Sequence, residues 1–209
     1  MSTISDDDFV RLFQRTFGLT EDGRAGPATV GKLRELAAAA GVPVEQSPAS
    51  DIPDDYWPML SRIESNNVLY ALPPINKKTG RPYSSASGLY QFIRSTWIGE
   101  GGQWGDDPFK AFGGLRPTAE EQLARAKSFT AKNAAQLRRA GIPINKASLY
   151  AAHFFGAGTA IKVLRAGVDE SAEALAGPAA TRANPSILKG KTVGQFLSWL
   201  HRKTGEWAK

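Results

Sequence analysis

Apolar residues recur every three or four positions through most of this chain, and this spacing restricts the fold more than any other feature. The stretch TVGQFLSWLHRK, for example, places Val193, Phe196 and Leu200 on one helical face. No segment alternates at the period of a β-strand, apart from a possible short hairpin around NKKTGRPYSS. The sequence therefore predicts a mostly α fold.

The stretch VPVEQSPASDIP interrupts this pattern, because it is rich in Pro and Ser and has no helical period. Such composition is typical of a linker. We therefore expect a small helical bundle at residues 1–42, a linker at 43–52 and a larger helical domain at 53–209. The bundle's second helix should begin near Pro27 and end at Gly41.

The larger domain contains a run, SGLYQFIRSTW, whose spacing predicts a helix. We expect the apolar face of that helix to carry Leu89, Phe92, Ile93 and Trp97.

Two longer helical runs follow in the larger domain. The first should open with a capping box formed by Thr118 and Glu121 and end at Gly141. The second, NKASLYAAHFFGAGTAIKVLRAG, should be broken by glycines at Gly156 and Gly158.

Composition excludes several classes of protein. The chain has no cysteine, so a disulfide framework or a thiolate metal site is impossible. Its start, MSTISDDDFV, lacks the basic and apolar regions of a signal peptide, and no run reaches the roughly 18 apolar residues of a membrane span. We therefore expect synthesis in the cytoplasm without a signal peptide, and no stable membrane insertion.

The net charge of +6 is unevenly distributed. Residues 1–50 hold five Lys/Arg and seven Asp/Glu, whereas the remainder holds 21 and 13. A basic surface of this kind suits nucleic acid, an anionic membrane surface or an acidic wall polymer, or it has no partner at all. No nucleic-acid-binding signature accompanies it, so we expect no nucleic-acid partner.

Few side chains are available for catalysis. The only histidines, His153 and His201, lie in separate helical segments without metal-ligand spacing, and no phosphate-binding or dinucleotide fingerprint occurs. We expect no metal and no cofactor. Carboxylates are the remaining candidates.

One carboxylate is placed unusually. In WPMLSRIESNNVLY, Trp57, Leu60 and Glu64 are spaced at i, i+3 and i+7 and share one helical face. An ionised carboxylate on an apolar face is costly, whereas burial of a carboxyl raises its pKa as a general acid for glycosidic cleavage requires. Glu64 is therefore the candidate acid.

A partner carboxylate is harder to find. Most glycosidases use a second acid, but residues 65–99 contain no Asp or Glu. The next acids, Glu100, Asp106 and Asp107, lie in GEGGQWGDD, which is typical of a solvated loop. This distribution favours a reaction that needs a single carboxylate.

The segment LFQRTFGLTEDGRAGPATVGKL contains the ordered elements FQ, GL, DG and GPxT. It resembles the repeat of the peptidoglycan-binding domain family. The resemblance covers about a fifth of the chain and implies a wall-binding unit. Its motif residues in this chain are Phe13, Gln14, Asp22, Gly23, Gly26 and Thr29.

Four motifs in the larger domain, IESNN, SSASGLYQFIRSTW, LYAAHFFGAGTAIKVL and ANPSIL, carry a second resemblance. Together they resemble the soluble lytic transglycosylase domain, especially its phage-associated branch, over about residues 53–205. That domain has a lysozyme-like, mostly α fold. The resemblance implies that Glu64 is the single acid and base.

The same resemblance implies the substrate-binding residues. They are Ser65, Ser87, Gly88, Leu89, Tyr90, Gln91, Tyr150 and His153. Many family members read Ala-Tyr-Asn-Ala-Gly where this chain has Ala-His-Phe-Phe-Gly at residues 152–156. Whether His153 or Tyr150 replaces the family's tyrosine stays open at this stage.

The two resemblances together imply cleavage of peptidoglycan between N-acetylmuramic acid and N-acetylglucosamine, with a 1,6-anhydro product. The domain pair and small size resemble a monomeric phage endolysin that reaches the wall after release, with a virion-borne enzyme as the alternative. A hydrolytic lysozyme is a further alternative, with Glu100, Asp106 or Asp107 as second acid or with water held by Ser84, Ser85 or Ser87. The last alternative is a non-catalytic protein that kept the fold, either a wall-binding protein or a structural protein of the virion.

Overall fold

The protein, seen in a computed structural model that describes residues 5–41 and 52–209, is built almost entirely from helices. This confirms the predicted mostly α fold. The chain divides into two compact units, residues 1–47 and 48–209. The division falls inside the predicted linker, whose residues 43–51 lie outside the described part of the chain.

The smaller unit contains two helices, α1 (Asp6–Thr16) and α2 (Pro27–Ala39). The hydroxyl of Ser5 caps α1 by accepting a hydrogen bond from the backbone N–H of Asp8 at 3.2 Å. Proline occupies the first turn of α2, where its missing N–H costs nothing. Gly41 follows α2 with a φ of +64°, as the sequence predicts for a helix end.

The larger unit contains the remaining eight described helices. They are α3 (Tyr56–Ser65), α4 (Arg94–Gly99), α5 (Ala119–Arg139), α6 (Lys146–Phe155), α7 (Ala157–Arg165), α8 (Ala172–Ala183), α9 (Pro185–Leu188) and α10 (Val193–Thr204). The backbone of α8 bends at Gly177, whose φ is +82°. A single antiparallel bridge between Ile75 and Pro82 forms at the predicted short hairpin.

Helix α6 lies at the centre of the larger unit and contacts α5, α7 and α10. Its residues from Ala147 to Ala152 are all buried. Alanines on this helix allow its neighbours to approach closely, and Phe196 and Leu200 of α10 are fully buried in the same core. The polar residues that α6 carries are therefore held in a packed surrounding.

The sequence prediction was wrong for residues 87–93, which are not helical. Gly88 and Gln91 have φ values of +75° and +48°, and a right-handed helix cannot include either angle. Helix α4 begins only at Arg94. Phe92 and Trp97 are buried as expected, whereas Ile93 is 47% exposed.

Two smaller expectations are corrected at helix ends. Thr118 caps α5 by accepting from the N–H of Glu121, but the Glu121 carboxylate pairs with Arg125 instead of closing a capping box. Gly156, with a φ of +76°, separates α6 from α7, whereas Gly158 lies inside α7. Among the described helices, none has the length and apolar character needed to cross a membrane.

Candidate active site around Glu64

Glu64 lies in the last turn of α3 and is half-buried. The helix ends one residue later, at Ser65, because Asn66 and Asn67 adopt left-handed backbone angles, with φ values of 52° and 62°. Asparagine tolerates this conformation better than most residues. The Glu64 carboxylate is therefore held by the last turn of helix α3, next to the point where the backbone changes direction.

The charge of Glu64 acts on three ring side chains, the buried Tyr56 of α3 and Tyr150 of α6 and the half-buried His153 of α6. Burial raises the pKa of the Tyr150 hydroxyl, and the charge and hydrogen-bonding of Glu64 raise it further. Burial and then the charge of Glu64 likewise raise the pKa of Tyr56. Both tyrosines therefore stay protonated.

His153 is held as a neutral ring. Burial lowers its pKa, while the charge of Glu64 and the backbone carbonyl of Tyr90 act in the opposite direction. Its Nε2 lies 3.1 Å from that carbonyl oxygen, which can only accept, so Nε2 carries the proton. The enclosed Nδ1 is then an acceptor, and it has no partner among the described residues.

Ser65 fastens the end of α3 to the turn at residues 87–91. The single hydrogen of its hydroxyl is shared between the carbonyl oxygens of Ser61 and Leu89, each 2.9 Å away. The N–H of Leu89 donates to the amide oxygen of Gln122 on α5 at 2.8 Å. Nε2 of His153 donates to the next carbonyl, that of Tyr90. Side chains from α3, α5 and α6 therefore bind this turn.

Gly88 and Gln91 close the turn itself. The N–H of Gly88 donates to the carbonyl of Ala71 at 2.9 Å, and the Gln91 amide donates to the carbonyls of Gly88 and Ala71. A Cβ atom at position 88 would overlap the Phe112 ring. Both residues therefore build the turn, and only the amide oxygen of Gln91 is left for a ligand.

The other predicted substrate-binding residues of this turn are more enclosed. The Ser87 hydroxyl donates to the carbonyl of Ser85 and accepts from the N–H of Phe112, both at 3.1 Å. Tyr90 is buried, and burial raises its pKa. Leu89 is half-buried. Ser87 and Tyr90 thus support the turn from within.

The alternative acids have other partners. The Glu100 carboxylate is 7% exposed and binds Lys132 at 2.8 Å and Ser128 at 2.7 Å, both on α5. Asp107 accepts from the N–H of Phe109 and pairs with Lys110. Among the described residues, Glu64 is the only carboxylate whose charge acts on Tyr56, Tyr150 and His153.

Asp106 lines a cavity of about 270 Å³ together with Ser84, Ser85 and Ser87. Glu64 does not line this cavity. The three serines, which are the alternative water ligands, thus line a cavity to which Glu64 does not contribute.

In the smaller unit, Gln14 is the centre of a buried hydrogen-bond network. The two hydrogens of its amide nitrogen are shared among three acceptors: Asp22 at 2.7 Å, the Arg24 carbonyl at 2.9 Å and the Thr29 hydroxyl at 3.0 Å. Its amide oxygen accepts from the N–H groups of Asp22 and Gly23. The motif residues Gln14, Asp22 and Thr29 therefore define the loop between α1 and α2.

The remaining motif residues of the smaller unit are Phe13, Gly23 and Gly26. Phe13 is half-buried and packs against Phe17 with ring centroids 4.8 Å apart. Gly23 has a φ of +72° and lies against the Arg11 guanidinium, and Gly26 precedes α2 as its N-cap. These glycines shape the backbone.

Sequence reasoning missed Tyr56 and Gln122. Tyr56 lies eight residues before Glu64, about two helical turns, and so shares its face of α3. That spacing was readable from the sequence. Gln122 is fully buried and joins α5 to Leu89, Leu69 and Pro117, which no local pattern indicates.

Comparison with known proteins supplies no assignment. No protein-family model matches the chain, and no curated protein is significantly similar to it. The interpretation of the site therefore depends on its motifs and its geometry.

Proposed function

We propose that this protein cleaves the β-1,4 bond between N-acetylmuramic acid and N-acetylglucosamine in peptidoglycan, as a lytic transglycosylase. The main observation in support of the proposal is that Glu64 is a single carboxylate. Within the described part of the chain, no second acid acts on the rings around Glu64. A reaction in which one group serves first as acid and then as base suits such a site.

In the first step, protonated Glu64 donates its proton to the glycosidic oxygen. The bond from that oxygen to the muramyl C1 breaks, and N-acetylglucosamine leaves with the proton. Positive charge develops at C1, which the substrate's own 2-acetamido group stabilises. The Tyr150 hydroxyl, which stays protonated beside Glu64, orients the carboxyl group during this transfer.

In the second step, the muramyl 6-hydroxyl attacks C1 and the Glu64 carboxylate accepts the proton of that hydroxyl. A 1,6-anhydro ring forms, no water is consumed and Glu64 returns to its starting form. Ser65 and His153 act as positioning residues, because they bind the carbonyls of Leu89 and Tyr90 beside the acid.

The smaller unit supports a wall-lytic role. Its Gln14 network corresponds to the motif that resembles a peptidoglycan-binding repeat. A binding unit tethered to an enzyme raises the enzyme's local concentration on an insoluble polymer. We propose that the protein is a phage endolysin acting on the host wall, with a virion-borne enzyme as the alternative.

A hydrolytic muramidase is the second candidate, and one observation favours it. Nδ1 of His153 is an enclosed acceptor without a partner among the described residues. A buried polar atom is usually hydrogen-bonded, and a water that donates to this nitrogen would satisfy it. A water held there would attack C1 in place of the 6-hydroxyl.

The proposal is tested by Glu64→Gln, which is nearly isosteric and removes only the titrating group. We expect the rate of peptidoglycan cleavage to fall by about 10²-fold or more. Glu120→Gln makes the same chemical change at an exposed position and should keep the activity. Circular dichroism and a pull-down with purified wall monitor folding and binding. Activity of the Glu64 variant within a few-fold of wild type would refute the role of Glu64.

A further inference from the structure

The cavity of about 270 Å³ lies between the hairpin near Pro82, the start of α4 and the loop at residues 104–110. Trp104 forms one wall, and its ring packs against Phe112 with centroids 5.7 Å apart. Leu72 adds apolar surface. The cavity therefore has a firm aromatic wall, as ligand-binding depressions usually do.

Two arginines line this cavity, and their charges are not neutralised. Neither guanidinium, of Arg81 or of Arg94, has an ion pair or hydrogen bond with any described residue. Lys110 also lines the cavity but is paired with Asp107 at 3.0 Å. Single unpaired arginines are ordinary on a surface, whereas two at one depression repel each other unless an anion binds between them.

A carboxylate fits this arrangement because guanidinium groups bind it with paired, charge-assisted hydrogen bonds. Asp106 lines the same cavity and is likewise without a charged partner in the described part of the chain. An anion alone would be repelled by this carboxylate. A ligand with both a carboxylate and an amino group satisfies the arginines and Asp106 together.

The cavity is joined to the Glu64 site by one stretch of backbone. Ser87 lines the cavity, and Leu89 and Tyr90 bind Ser65 and His153. Three residue steps span at most about 11 Å in an extended chain. This bounds the separation between a cavity-lining residue and the residues that contact Ser65 and His153 to a length that a short peptide can span.

We propose that this cavity binds a carboxylate of the short peptide that substitutes muramic acid in the wall, so that peptide-bearing glycan is the preferred substrate. This inference rests on the proposed wall-lytic function and names the feature of the substrate that the enzyme selects. Arg81 and Arg94 donate hydrogen bonds to the carboxylate, and Trp104 packs against the peptide. The Asp106 carboxylate accepts a hydrogen bond from an amino group of the peptide.

The test compares two substrates for the full-length protein: glycan strands that carry peptides, and the same strands after an amidase has removed them. We expect wild type to cleave the peptide-bearing strands about ten-fold faster or more. In the double variant Arg81→Gln/Arg94→Gln the ratio of the two rates should fall toward one. Arg182→Gln, an exposed arginine on α8, is the matched control and should keep the wild-type ratio.

Direct binding is measured by isothermal titration calorimetry with a muramyl tripeptide that ends in lysine, because this probe carries both a carboxylate and a free amino group. Losing two charge-assisted contacts should weaken the dissociation constant by about ten- to hundred-fold in the double variant. Inorganic phosphate separates the peptide from an anion of another source, and it should not compete at equal concentration. Competition by phosphate as strong as by the peptide would overturn the assignment.

The inference would also be overturned if wild type and the double variant showed the same ratio of the two cleavage rates. Failure of the proposed function looks different. The protein would then cleave neither substrate, while arginine-dependent binding of the peptide would still support the cavity as a carboxylate site.

Discussion

His153 combines a neutral ring with a neighbouring carboxylate. A charged imidazole would gain from Glu64, but burial outweighs that gain and lowers the pKa of His153 below its ordinary value of about 6.5. Protonation would also place a donor on Nδ1, which faces no acceptor among the described residues. The ring is therefore a fixed donor to Tyr90.

This arrangement makes stability depend on pH. Between the lowered pKa of folded His153 and about 6.5, the unfolded chain binds the extra proton, so the free energy of unfolding rises with pH. Acidification from pH 7.5 to 5.5 should destabilise wild type, with His153 contributing at most about 1.4 kcal/mol per pH unit. His153→Gln should lose that contribution. Chemical denaturation at both pH values measures it, and equal losses in the two proteins would contradict the prediction.

Among single residues, Glu64 could be identified as the candidate acid from the sequence, because helical spacing alone places it on one face with Trp57 and Leu60. The direction of the His153 ring could not be predicted. It depends on the carbonyl of Tyr90, 63 positions away in sequence.

Among the elements, the turn at residues 87–91 does most to position the site. It is bound by α3 through Ser65, by α5 through Gln122 and by α6 through His153. Its apolar spacing resembles that of a helix, which explains the failed helix prediction. Left-handed angles at Gly88 and Gln91, supported by those three helices, outweigh the local preference.

Gly88→Ala should destabilise the protein for two reasons: alanine is strained at a φ of +75°, and its Cβ would overlap Phe112 and Gln122. We expect a loss of about 2–5 kcal/mol in unfolding free energy. Gly80→Ala is the matched control, since Gly80 has a φ of +67° but open space around it. Its loss should be only about 1–2 kcal/mol. Equal losses in denaturant titrations would show that the turn is loosely packed.

At the scale of the molecule, two units differ in size and charge. The excess of basic residues lies beyond residue 50, in the part that carries Glu64. Linker composition and charge are properties of the sequence, so the division could be predicted from it. The cavity could not, because it is formed by segments around residues 72, 81–94 and 104–110 that only the fold brings together.

Removing residues 1–47 should leave a folded unit that still cleaves soluble wall fragments, because the Glu64 site and its three supporting helices lie in residues 48–209. Activity on intact sacculi should fall by about ten-fold or more, since the tether to the polymer is lost. Turbidity clearing and release of soluble fragments measure the two activities. Equal activity on sacculi with and without the first unit would exclude a wall-binding role.

In the proposed reaction Glu64 acts alone and the substrate's own 6-hydroxyl closes the ring. Mass spectrometry of the muropeptides that the wild-type protein releases in heavy-oxygen water distinguishes this reaction from hydrolysis. The released products should end in 1,6-anhydro-N-acetylmuramic acid, about 18 mass units lighter than reducing-end products and without the label. Labelled reducing-end products would contradict it, because only a water-dependent reaction produces them.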